Sequence, residues 1–309
     1  MSNQTTRTIL MIKPIAFGFN PETAVNNYFQ QENKLPYSAI QNLARDEFSA
    51  MVMQLRVKGI QVIVVKDTPE PHTPDSIFPN NWISFHEDGR VVLYPMFAQN
   101  RRLERRMDII RIVREKGFKV TDLVDYTDHE SNNHFLEGTG SMILDRDNKI
   151  AYAALSERTN LDVFELFCSE FGYQPISFSA YQSINKQRLP IYHTNVMLCV
   201  ADKFVVVCLA SIDNEAEKET LKSSFSKTGK DIIEITEKQM NCFAGNMLQV
   251  SNQDGKLFLV MSLSAYDSLT KEQILKLETY NELIIVPVST IESAGGGSVR
   301  CMMLEVFGE

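Results

Sequence analysis

Short apolar runs recur along the whole chain, and their order predicts a repeated structure. Neighbouring members of a series stand roughly 50 to 60 residues apart, a spacing typical of repeat architectures. Short apolar runs bounded by turn residues are typical of buried strands. The first series is NNWISF, SMILD, NVMLCV, NMLQV and CMMLEVF. The second is VVLYP, IAYAAL, FVVVCL, LFLVMS and, at the start of the chain, ILMIKP. The third is KVTDLV, QPISFS, DIIEIT, ELIIVPV and, also near the start, QVIVV.

A stretch with helical periodicity separates the second series from the third each time. Apolar residues at three- and four-residue steps and a final glycine are typical of helices that face a core and end at a C-cap. The stretches are RDEFSAMVMQLRVKG, RRLERRMDIIRIVREKG, LDVFELFCSEFG, EAEKETLKSSFSKTG and LTKEQILKLETY. The turn-rich links between the first and second series predict hairpins. These links include HEDGR, DRDNK and NQDGK.

The predicted unit is therefore strand, strand, helix, strand, and the fifth copy is split between the two termini. CMMLEVF supplies its first strand, and its remaining elements open the chain. Strands at the two termini can pair only if the chain ends meet. The pattern thus predicts an α/β fold, a five-bladed α/β propeller of ββαβ repeats closed by the N- and C-terminal strands, with residues 1–309 as one domain. The alternative is an open α/β sheet with a fortuitous spacing.

Composition narrows the class of protein. With 44% apolar and 23% charged residues, the chain has enough apolar material for a sizeable core. The net charge of −8 argues against a nucleic-acid partner. The sequence has neither a membrane-spanning apolar run nor the apolar core of a signal peptide. Five cysteines, an odd number, suit a reducing cytoplasm better than a disulfide framework. We therefore expect a cytoplasmic protein without a nucleic-acid or membrane partner.

A glycine-rich stretch near the C-terminus, SAGGGSVRCMM, contains one cysteine, Cys301. Glycines allow the backbone to approach a bound molecule closely. The apolar residues 302–307 predict a buried strand, so Cys301 would lie between a flexible loop and a rigid element. A free cysteine is usually an inert core residue. A nucleophilic cysteine needs a histidine partner elsewhere in the chain.

Candidate partners stand just before or within the opening strand of each unit, and a ring would bring these positions to one axis. A nearby imidazolium lowers the pKa of a thiol, and histidine is suited to acid–base chemistry near neutrality. We expect Glu137 to orient His193 and to hold it protonated. The residues at these positions are Asp75, Asn81, Glu137, His193, Asn246 and Cys301.

Asp75, in TPDSIF, is a candidate acceptor of hydrogen bonds from a planar substrate that carries N–H groups. The alternative role is that of a turn residue after proline. The two histidines of HESNNH are five residues apart, which is not the spacing of ligands on one helix face. The sequence contains no phosphate loop or dinucleotide motif, and we expect no metal or organic cofactor.

Four separated motifs resemble the guanidino-group-modifying superfamily, which contains arginine deiminases, amidinotransferases and dimethylarginine dimethylaminohydrolases. They are TPDSIF, FLEGTG, the strand around His193 and GGGSVRCM, and LSERTN is similar to the dimethylaminohydrolases in particular. The resemblance implies a five-fold α/β propeller, the pentein fold. It also implies Cys301 as nucleophile, with His193 and Glu137 as its catalytic partners. For the substrate it implies contacts from Asp75 and Phe78, with Arg101 and Arg158 as candidate clamps for a carboxylate.

Two departures from the family pattern change the expected substrate. Asn80 and Asn81 stand where dimethylaminohydrolases have acids, and Asn195 stands where arginine deiminases carry an aspartate. A guanidinium cation favours flanking carboxylates. A ureido group is neutral and has a carbonyl oxygen, which an amide with both donor and acceptor fits better. The chain is similar to bacterial citrulline-utilisation hydrolases of this superfamily.

The sequence thus predicts a hydrolase of a C–N bond in a citrulline- or arginine-like amino acid, acting through a covalent Cys301 intermediate. Citrulline would yield ornithine, carbon dioxide and ammonia. The alternatives are a dimethylarginine dimethylaminohydrolase, an arginine deiminase, an amidinotransferase and, in another class, a propeller that binds without catalysis. The expected partner is a small amino-acid substrate. The sequence leaves open both a homodimer and a loop that covers the site.

Overall fold

The computed structural model of the chain describes residues 4–32 and 34–308. The strands are, in chain order, β1 (Thr8–Lys13), β2 (Gln61–Lys66), β3 (Ile83–Phe85), β4 (Arg90–Leu93), β5 (Asp122–Asp125), β6 (Met142–Asp145), β7 (Ile150–Leu155), β8 (Gln174–Ser179), β9 (Tyr181–Ile184), β10 (Gln187–Pro190), β11 (Leu198–Val200), β12 (Phe204–Val207), β13 (Asp231–Glu234), β14 (Leu248–Ser251), β15 (Leu257–Ser262), β16 (Glu282–Val286) and β17 (Leu304–Val306).

Helices of very different length connect these strands. They are α1 (Pro21–Ala24), α2 (Tyr37–Val57), α3 (Gln99–Arg102), α4 (Asp108–Glu115), α5 (Gly138–Ser141), α6 (Leu161–Phe171), α7 (Glu215–Lys227), α8 (Glu237–Met240), α9 (Leu263–Ser268), α10 (Lys271–Glu278), α11 (Ser289–Gly295) and α12 (Val299–Met302). Short 3-10 turns lie at Pro79–Asn81, Thr127–Asn132, Thr194–Val196 and Leu209–Ser211.

The described part of the chain forms five three-stranded sheets and one hairpin. The three-stranded sheets have the orders β3-β4-β5, β6-β7-β8, β11-β12-β13, β14-β15-β16 and β17-β1-β2. In each, the first strand runs antiparallel to the second, and the second runs parallel to the third. The three strand series and their order are therefore confirmed. The fold is mixed α/β, and each of these sheets is open.

The strands at the two ends of the chain pair with each other, as the split unit predicts. β17 is antiparallel to β1, with Thr8 opposite Val306 and Leu10 opposite Leu304. Thr6 Oγ1 also donates a hydrogen bond to the Val306 carbonyl oxygen at 2.5 Å. The sheet thus brings together distant parts of the sequence, since Thr6 and Val306 are 300 positions apart.

The helices that face the core have the apolar spacing that the sequence shows. Along α2 the buried side chains follow one stripe, which includes Ala44, Phe48, Met51 and Leu55. The α6 helix begins where the Asn160 side chain accepts from the Val163 N–H. It ends at Gly172 with φ of 69°, which is a left-handed C-cap.

Three details differ from the sequence prediction. The expected helix over RRLERRMDIIRIVREKG is divided into α3 and α4, because the chain turns at residues 103–107 with Arg101 and Glu104 buried. Met302 belongs to the short helix α12, and the strand starts only at Leu304. The β9–β10 hairpin was not expected, since β10 is largely exposed and lacks an apolar run.

The connections that lead into the first strands carry the candidate functional residues. These connections are the Pro79–Asn81 turn, α5, the Thr194–Val196 turn, the segment after α8, and α12. The α5 helix contacts both turns, and α12 contacts the Pro79–Asn81 turn. Separate parts of the sequence thus meet at one place. Among residues 4–32 and 34–308, no helix has the length and apolar character needed to cross a membrane.

Candidate active site

The predicted site residues form one buried cluster around a small cavity. Glu137 contacts His193, and Asn195 contacts Cys301. Glu137 and Asn195 are therefore next to the cavity but do not line it. The predicted residues that line the cavity are Asp75, Phe78, Asn81, Arg101, Arg158, His193 and Cys301. The other lining residues are Thr23, Asn27, Tyr192, Gly295, Gly296 and Gly297.

Glu137 and His193 form a short contact, with 2.7 Å between Glu137 Oε2 and His193 Nε2. The other Glu137 oxygen accepts from the Phe97 N–H at 3.0 Å. Burial alone would raise the pKa of Glu137, but Arg158, His193 and Arg101 outweigh it and hold that pKa well below its usual range. Glu137 is therefore a carboxylate at neutral pH. A carboxylate can only accept a hydrogen bond, so His193 Nε2 carries the proton of this contact and His193 Nδ1 keeps a free lone pair.

The state of His193 differs from the sequence expectation. Burial lowers the pKa of His193 to about 4, and the upward pull of Glu137 is too small to reverse this. Two arginines, Arg158 and Arg101, add to the lowering. Glu137 thus orients the ring without holding it protonated, and His193 is a neutral base in the resting protein.

Cys301 lies on α12 and is 3% exposed. Its Sγ accepts two hydrogen bonds, from Asn195 Nδ2 and from Asn246 Nδ2, each at 3.3 Å. The glycine stretch lies close to Phe78 here. A Cβ at Gly297 would stand 3.0 Å from the Phe78 ring and 3.4 Å from Cys301 Cβ, so a side chain would push the loop away from Cys301.

Asp75 presents one engaged and one open oxygen. Its Oδ2 accepts from Asn20 Nδ2 at 2.7 Å and from Thr23 Oγ1 at 3.1 Å. Its Oδ1 is buried and has no hydrogen-bond partner among the described residues. Burial raises the pKa of Asp75 above its ordinary value, against the opposing effect of Arg101 and the two hydrogen bonds. The open oxygen is an acceptor for a ligand N–H.

Arg101 is almost fully engaged by the protein itself. Its Nε and Nη2 both donate to Glu104 at 2.9 Å, and Nη2 also donates to the Phe78 carbonyl oxygen at 3.1 Å. Its Nη1 donates to Asn81 Oδ1 at 2.7 Å. Burial raises the pKa of Glu104 to about 7, although Arg101 acts in the opposite direction. The sequence did not single out Glu104, the residue that fixes this arginine.

These contacts fix the orientation of the Asn81 amide. Its Oδ1 is occupied by Arg101, and its Nδ2 donates to Asn80 Oδ1 at 3.2 Å, which leaves one N–H of Nδ2. A Cβ built at Gly140 would lie 2.4 Å from Asn81 Nδ2 and 2.8 Å from His193 Nδ1. Gly140 therefore keeps these two groups close together, and Asn81 offers a donor on the side of His193.

Residues 20–30, here called the covering segment, close the cavity. Arg158 Nε donates to Asn26 Oδ1 at 2.9 Å, and Arg158 Nη2 donates to the Thr23 carbonyl oxygen at 2.8 Å. Asn27 Nδ2 donates to the Gly296 carbonyl oxygen at 3.2 Å, and Gln30 Nε2 donates to that of Ala294 at 3.1 Å. No motif in the sequence points to this segment. Its one signal is the density of Asn and Gln directly after the first strand.

Within residues 4–32 and 34–308, no three His, Cys, Asp or Glu side chains stand where they could hold a metal ion together.

Known proteins share both the sequence pattern and the fold. Residues 13–308 match the family described as N,N dimethylarginine dimethylhydrolase, eukaryotic. The match covers nearly the whole chain, so the protein belongs to this family, within the guanidino-group-modifying superfamily. It is a hydrolase that acts on C–N bonds other than peptide bonds. No curated protein matches the chain.

The solved structures that resemble this one include a cyanobacterial enzyme, ArgZ, described as an arginine dihydrolase. Its N-terminal domain, bound to substrate, has a TM-score of 0.72 and 18% identity, over 97% of this chain and 98% of that chain. The same domain with a covalently bound reaction intermediate has a TM-score of 0.71 and 18% identity, over 97% and 98%. This chain spans 41% of the complete ArgZ chain.

A dimethylarginine dimethylaminohydrolase carrying an adduct with 4-chloro-2-hydroxymethylpyridine has a TM-score of 0.62 and 18% identity, over 97% of this chain and 99% of that chain. At this level of identity, the likeness to ArgZ and to this enzyme shows the fold alone.

Proposed function

We propose that this protein is a cysteine-dependent hydrolase of the ureido group of a citrulline-like amino acid, with Cys301 as nucleophile. Membership of the dimethylarginine dimethylhydrolase family supports hydrolysis at a carbon that bears nitrogen. We further propose that the five sheets are arranged as a five-bladed propeller in one domain. Equivalent connections would then meet at the axis, in agreement with the contacts among α5, α12 and the two turns.

One observation carries the choice of a ureido group, namely the orientation of the Asn81 amide. Arg101 Nη1 donates a hydrogen bond to Asn81 Oδ1 at 2.7 Å. The group that Asn81 presents to a ligand is therefore an N–H and not its oxygen. A ureido carbonyl oxygen accepts that N–H. A guanidinium has only donors, so it would meet Asn81 donor to donor and leave the buried N–H without a partner.

The other polar groups of the cavity complete the ureido pattern. Asp75 Oδ1 is a buried acceptor without a partner among the described residues, and it is available to a ureido N–H group. Of the charged residues that line the cavity, one is acidic, Asp75, and two are basic, Arg101 and Arg158. This balance favours a neutral reacting group together with the carboxylate of an amino acid, for which the two arginines are the candidate partners.

The reaction is nucleophilic catalysis in two steps. Cys301 Sγ forms a bond to the ureido carbon while His193 Nδ1 takes up one proton, either that of the Cys301 thiol or, if the thiol has already ionised, one from solvent. His193 then transfers this proton to the leaving amine as the bond from the ureido carbon to that nitrogen breaks. A thiocarbamate remains on Cys301. Water then attacks the same carbon, with His193 Nδ1 as base, and the C–S bond breaks. The carbamic acid loses carbon dioxide. In total, citrulline and one water yield ornithine, carbon dioxide and ammonia.

Dimethylarginine is the second candidate substrate, because the family that matches this chain is described by that reaction. Arginine is the third, because the structural neighbour ArgZ is described as an arginine dihydrolase. Both would react through the same cysteine and the same histidine. An amidinotransferase would differ only in that an amine acceptor takes the place of water.

A substrate panel tests the proposal. Citrulline, arginine, agmatine and dimethylarginine are each incubated with the protein and with Cys301→Ser, and ornithine, citrulline and ammonia are quantified separately. We expect the highest kcat/KM on citrulline, with ornithine and ammonia in equal amounts. Preference for arginine or dimethylarginine would contradict the ureido assignment and leave the cysteine mechanism intact. No turnover of any member, without labelling of Cys301 by a haloacetamidine, would favour the non-catalytic binding module.

A further inference from the structure

Asn246 contacts the sulfur of Cys301, and neither the family resemblance nor the substrate argument gives it a role. It follows α8, just before β14, and it is completely buried. Its Nδ2 donates to Cys301 Sγ at 3.3 Å and to the Asn195 carbonyl oxygen at 3.0 Å. Its Oδ1 accepts from the Arg300 N–H at 3.0 Å.

The surroundings of Asn246 determine which end of the amide faces the sulfur. The Arg300 N–H is a donor, so it requires the oxygen of Asn246, and the Asn195 carbonyl is an acceptor, so it requires the nitrogen. Both demands place Nδ2 next to Cys301. A flipped amide would set donor against donor and acceptor against acceptor. The group that meets the sulfur is therefore an N–H.

Asn195 supplies a second N–H to the same atom. Its Nδ2 lies 3.3 Å from Cys301 Sγ, and its backbone carbonyl holds Asn246 in place. Two buried donors thus converge on one sulfur. A thiolate accepts hydrogen bonds more strongly than a thiol, and bonds to a charged acceptor are roughly twice as strong as neutral ones. In a buried site, such donors favour the anion.

This arrangement replaces the imidazolium that a reactive cysteine often uses. His193 is neutral in the resting protein because burial lowers its pKa to about 4. The other titratable side chains that line the cavity with Cys301 are Asp75, Arg101, Arg158 and Tyr192. Arg101 donates to Glu104, and Arg158 donates to Asn26 and lies 3.6 Å from Glu137. The hydrogen bonds to Cys301 Sγ come from the two asparagine amides.

We propose that the side-chain amides of Asn195 and Asn246 form a two-donor thiolate site, which stabilises the anion of Cys301 that attacks the substrate. Both residues contact the reacting atom, so they are catalytic residues in this reaction. The proposal rests on the proposed function only in naming Cys301 as the nucleophile.

The test is a titration of the Cys301 thiolate without substrate. Thiolate absorbance in the ultraviolet is followed against pH for the protein, for Asn246→Ala and for Asn195→Ala. Each curve is corrected with the same protein carrying Cys301→Ser, which removes the other cysteines and the tyrosines from the signal. We expect the midpoint to rise by about one pH unit in each variant, which is roughly ten-fold less thiolate below the midpoint.

Asn281→Ala is the matched control. Asn281 is also a buried amide, which donates to the Leu277 carbonyl oxygen at 3.1 Å and accepts from Gln249. Its loss should lower the melting temperature without moving the Cys301 midpoint. A merely structural role of Asn246 would give the same result as this control and would overturn the proposal. If Asn246→Ala does not fold, an unchanged midpoint in Asn195→Ala is sufficient to overturn it.

The titration tests the thiolate site and the substrate panel tests the proposed function, so one can be rejected without the other. A raised midpoint together with full turnover by Cys301→Ser would reject the proposed function and keep the thiolate site. Unchanged midpoints together with loss of turnover in Cys301→Ser would reject the thiolate site and keep the nucleophile.

Discussion

At the residue scale, the proposed preference for a ureido group depends on Asn81, whose neutral amide accepts a hydrogen bond from Arg101 Nη1. In Asn81→Asp a carboxylate would face the ureido carbonyl oxygen, acceptor against acceptor. An unpaired buried acceptor costs on the order of 1–3 kcal/mol, so kcat/KM on citrulline should fall roughly ten- to a hundred-fold. A guanidinium substrate should gain from a charge-assisted hydrogen bond.

Kinetics of the protein and of Asn81→Asp on citrulline, arginine and dimethylarginine measure this effect. Asn133→Asp, in an exposed turn, serves as a control with the same change of charge. Equal preference for citrulline in the protein and in Asn81→Asp would show that Asn81 does not contact the reacting group.

His193 gives a prediction on pH. Its pKa is about 4 in the folded protein and 6.5 without the fold, because burial disfavours the imidazolium. Between these values the unfolded chain binds a proton that the folded protein does not bind. The contribution of His193 to the free energy of unfolding is therefore lost as the pH falls from 6.5 towards 4. An NMR titration of the His193 ring should show a midpoint well below 6.5, and a midpoint at or above 6.5 would contradict a neutral resting base.

The residues that sequence could identify are those that stand in distinctive local motifs. Cys301 follows a glycine stretch, Glu137 precedes a glycine turn, and both recur at the same point of the repeat. Asn246 stands at the equivalent point of the repeat, but no motif gives it a role, and Glu104 has neither signal. Their importance depends on three-dimensional contacts with Arg101 and Cys301, which only the packed structure supplies.

Among the elements, the covering segment links the N-terminus of the chain to the cavity. Asn26 is its contact with Arg158, which donates to Asn26 Oδ1 from Nε at 2.9 Å and also from Nη2. In Asn26→Ala, Arg158 would lose its two hydrogen bonds to Asn26 and keep the one to the Thr23 carbonyl oxygen, and the segment would lose a buried anchor. We expect kcat/KM to fall about ten-fold, together with faster amide hydrogen exchange in residues 20–30.

Val25→Ala is the matched control, since Val25 lies in the same segment and its side chain is 63% exposed. It should leave both readouts unchanged. Normal exchange and normal kinetics in Asn26→Ala would show that the contact with Arg158 does not hold the segment.

Regular elements with apolar stripes could be predicted from sequence, whereas elements held by polar contacts could not. All four residues of β12 are buried and apolar, so the strand is visible as a continuous run. The β9–β10 hairpin has mixed polarity, and much of it is exposed. The covering segment contains only the four-residue helix α1, and it is positioned by side-chain amides. Hydrophobic periodicity carries no information about such segments.

At the scale of the whole molecule, the pairing of β17 with β1 joins the two ends of the chain. Leu304 and Leu10 are opposite each other in this pair, and both are buried. Leu304→Ala should lower the free energy of unfolding by roughly 2–5 kcal/mol, because it removes a core side chain and leaves a cavity. Urea unfolding measures the change. Leu275→Ala, at a side chain that is 65% exposed, should have little effect.

Deletion of residues 304–309 removes the strand while Cys301 stays in place. We expect an insoluble or molten protein, because the β1 backbone loses its partners on one side. A truncated protein with native-like unfolding would favour an open sheet with a dispensable last strand. The pairing of the chain ends was predictable from the fifth, split repeat. The arrangement of all five sheets around one axis stays a prediction, as does a single domain over residues 1–309.

The most direct test of the account is mass spectrometry of the protein quenched with acid during turnover of citrulline. The unaltered protein is compared with His193→Ala, in which the second step lacks its base, and with two cysteine variants. We predict a thiocarbamate on the peptide that contains Cys301, and we expect it to be more abundant in His193→Ala. Cys301→Ser should show no such adduct, and its kcat should fall by at least about a thousand-fold. Cys242→Ser, at a partly exposed cysteine, should keep both adduct and activity. Turnover by Cys301→Ser at the rate of the unaltered protein, with no adduct on any cysteine, would contradict the account.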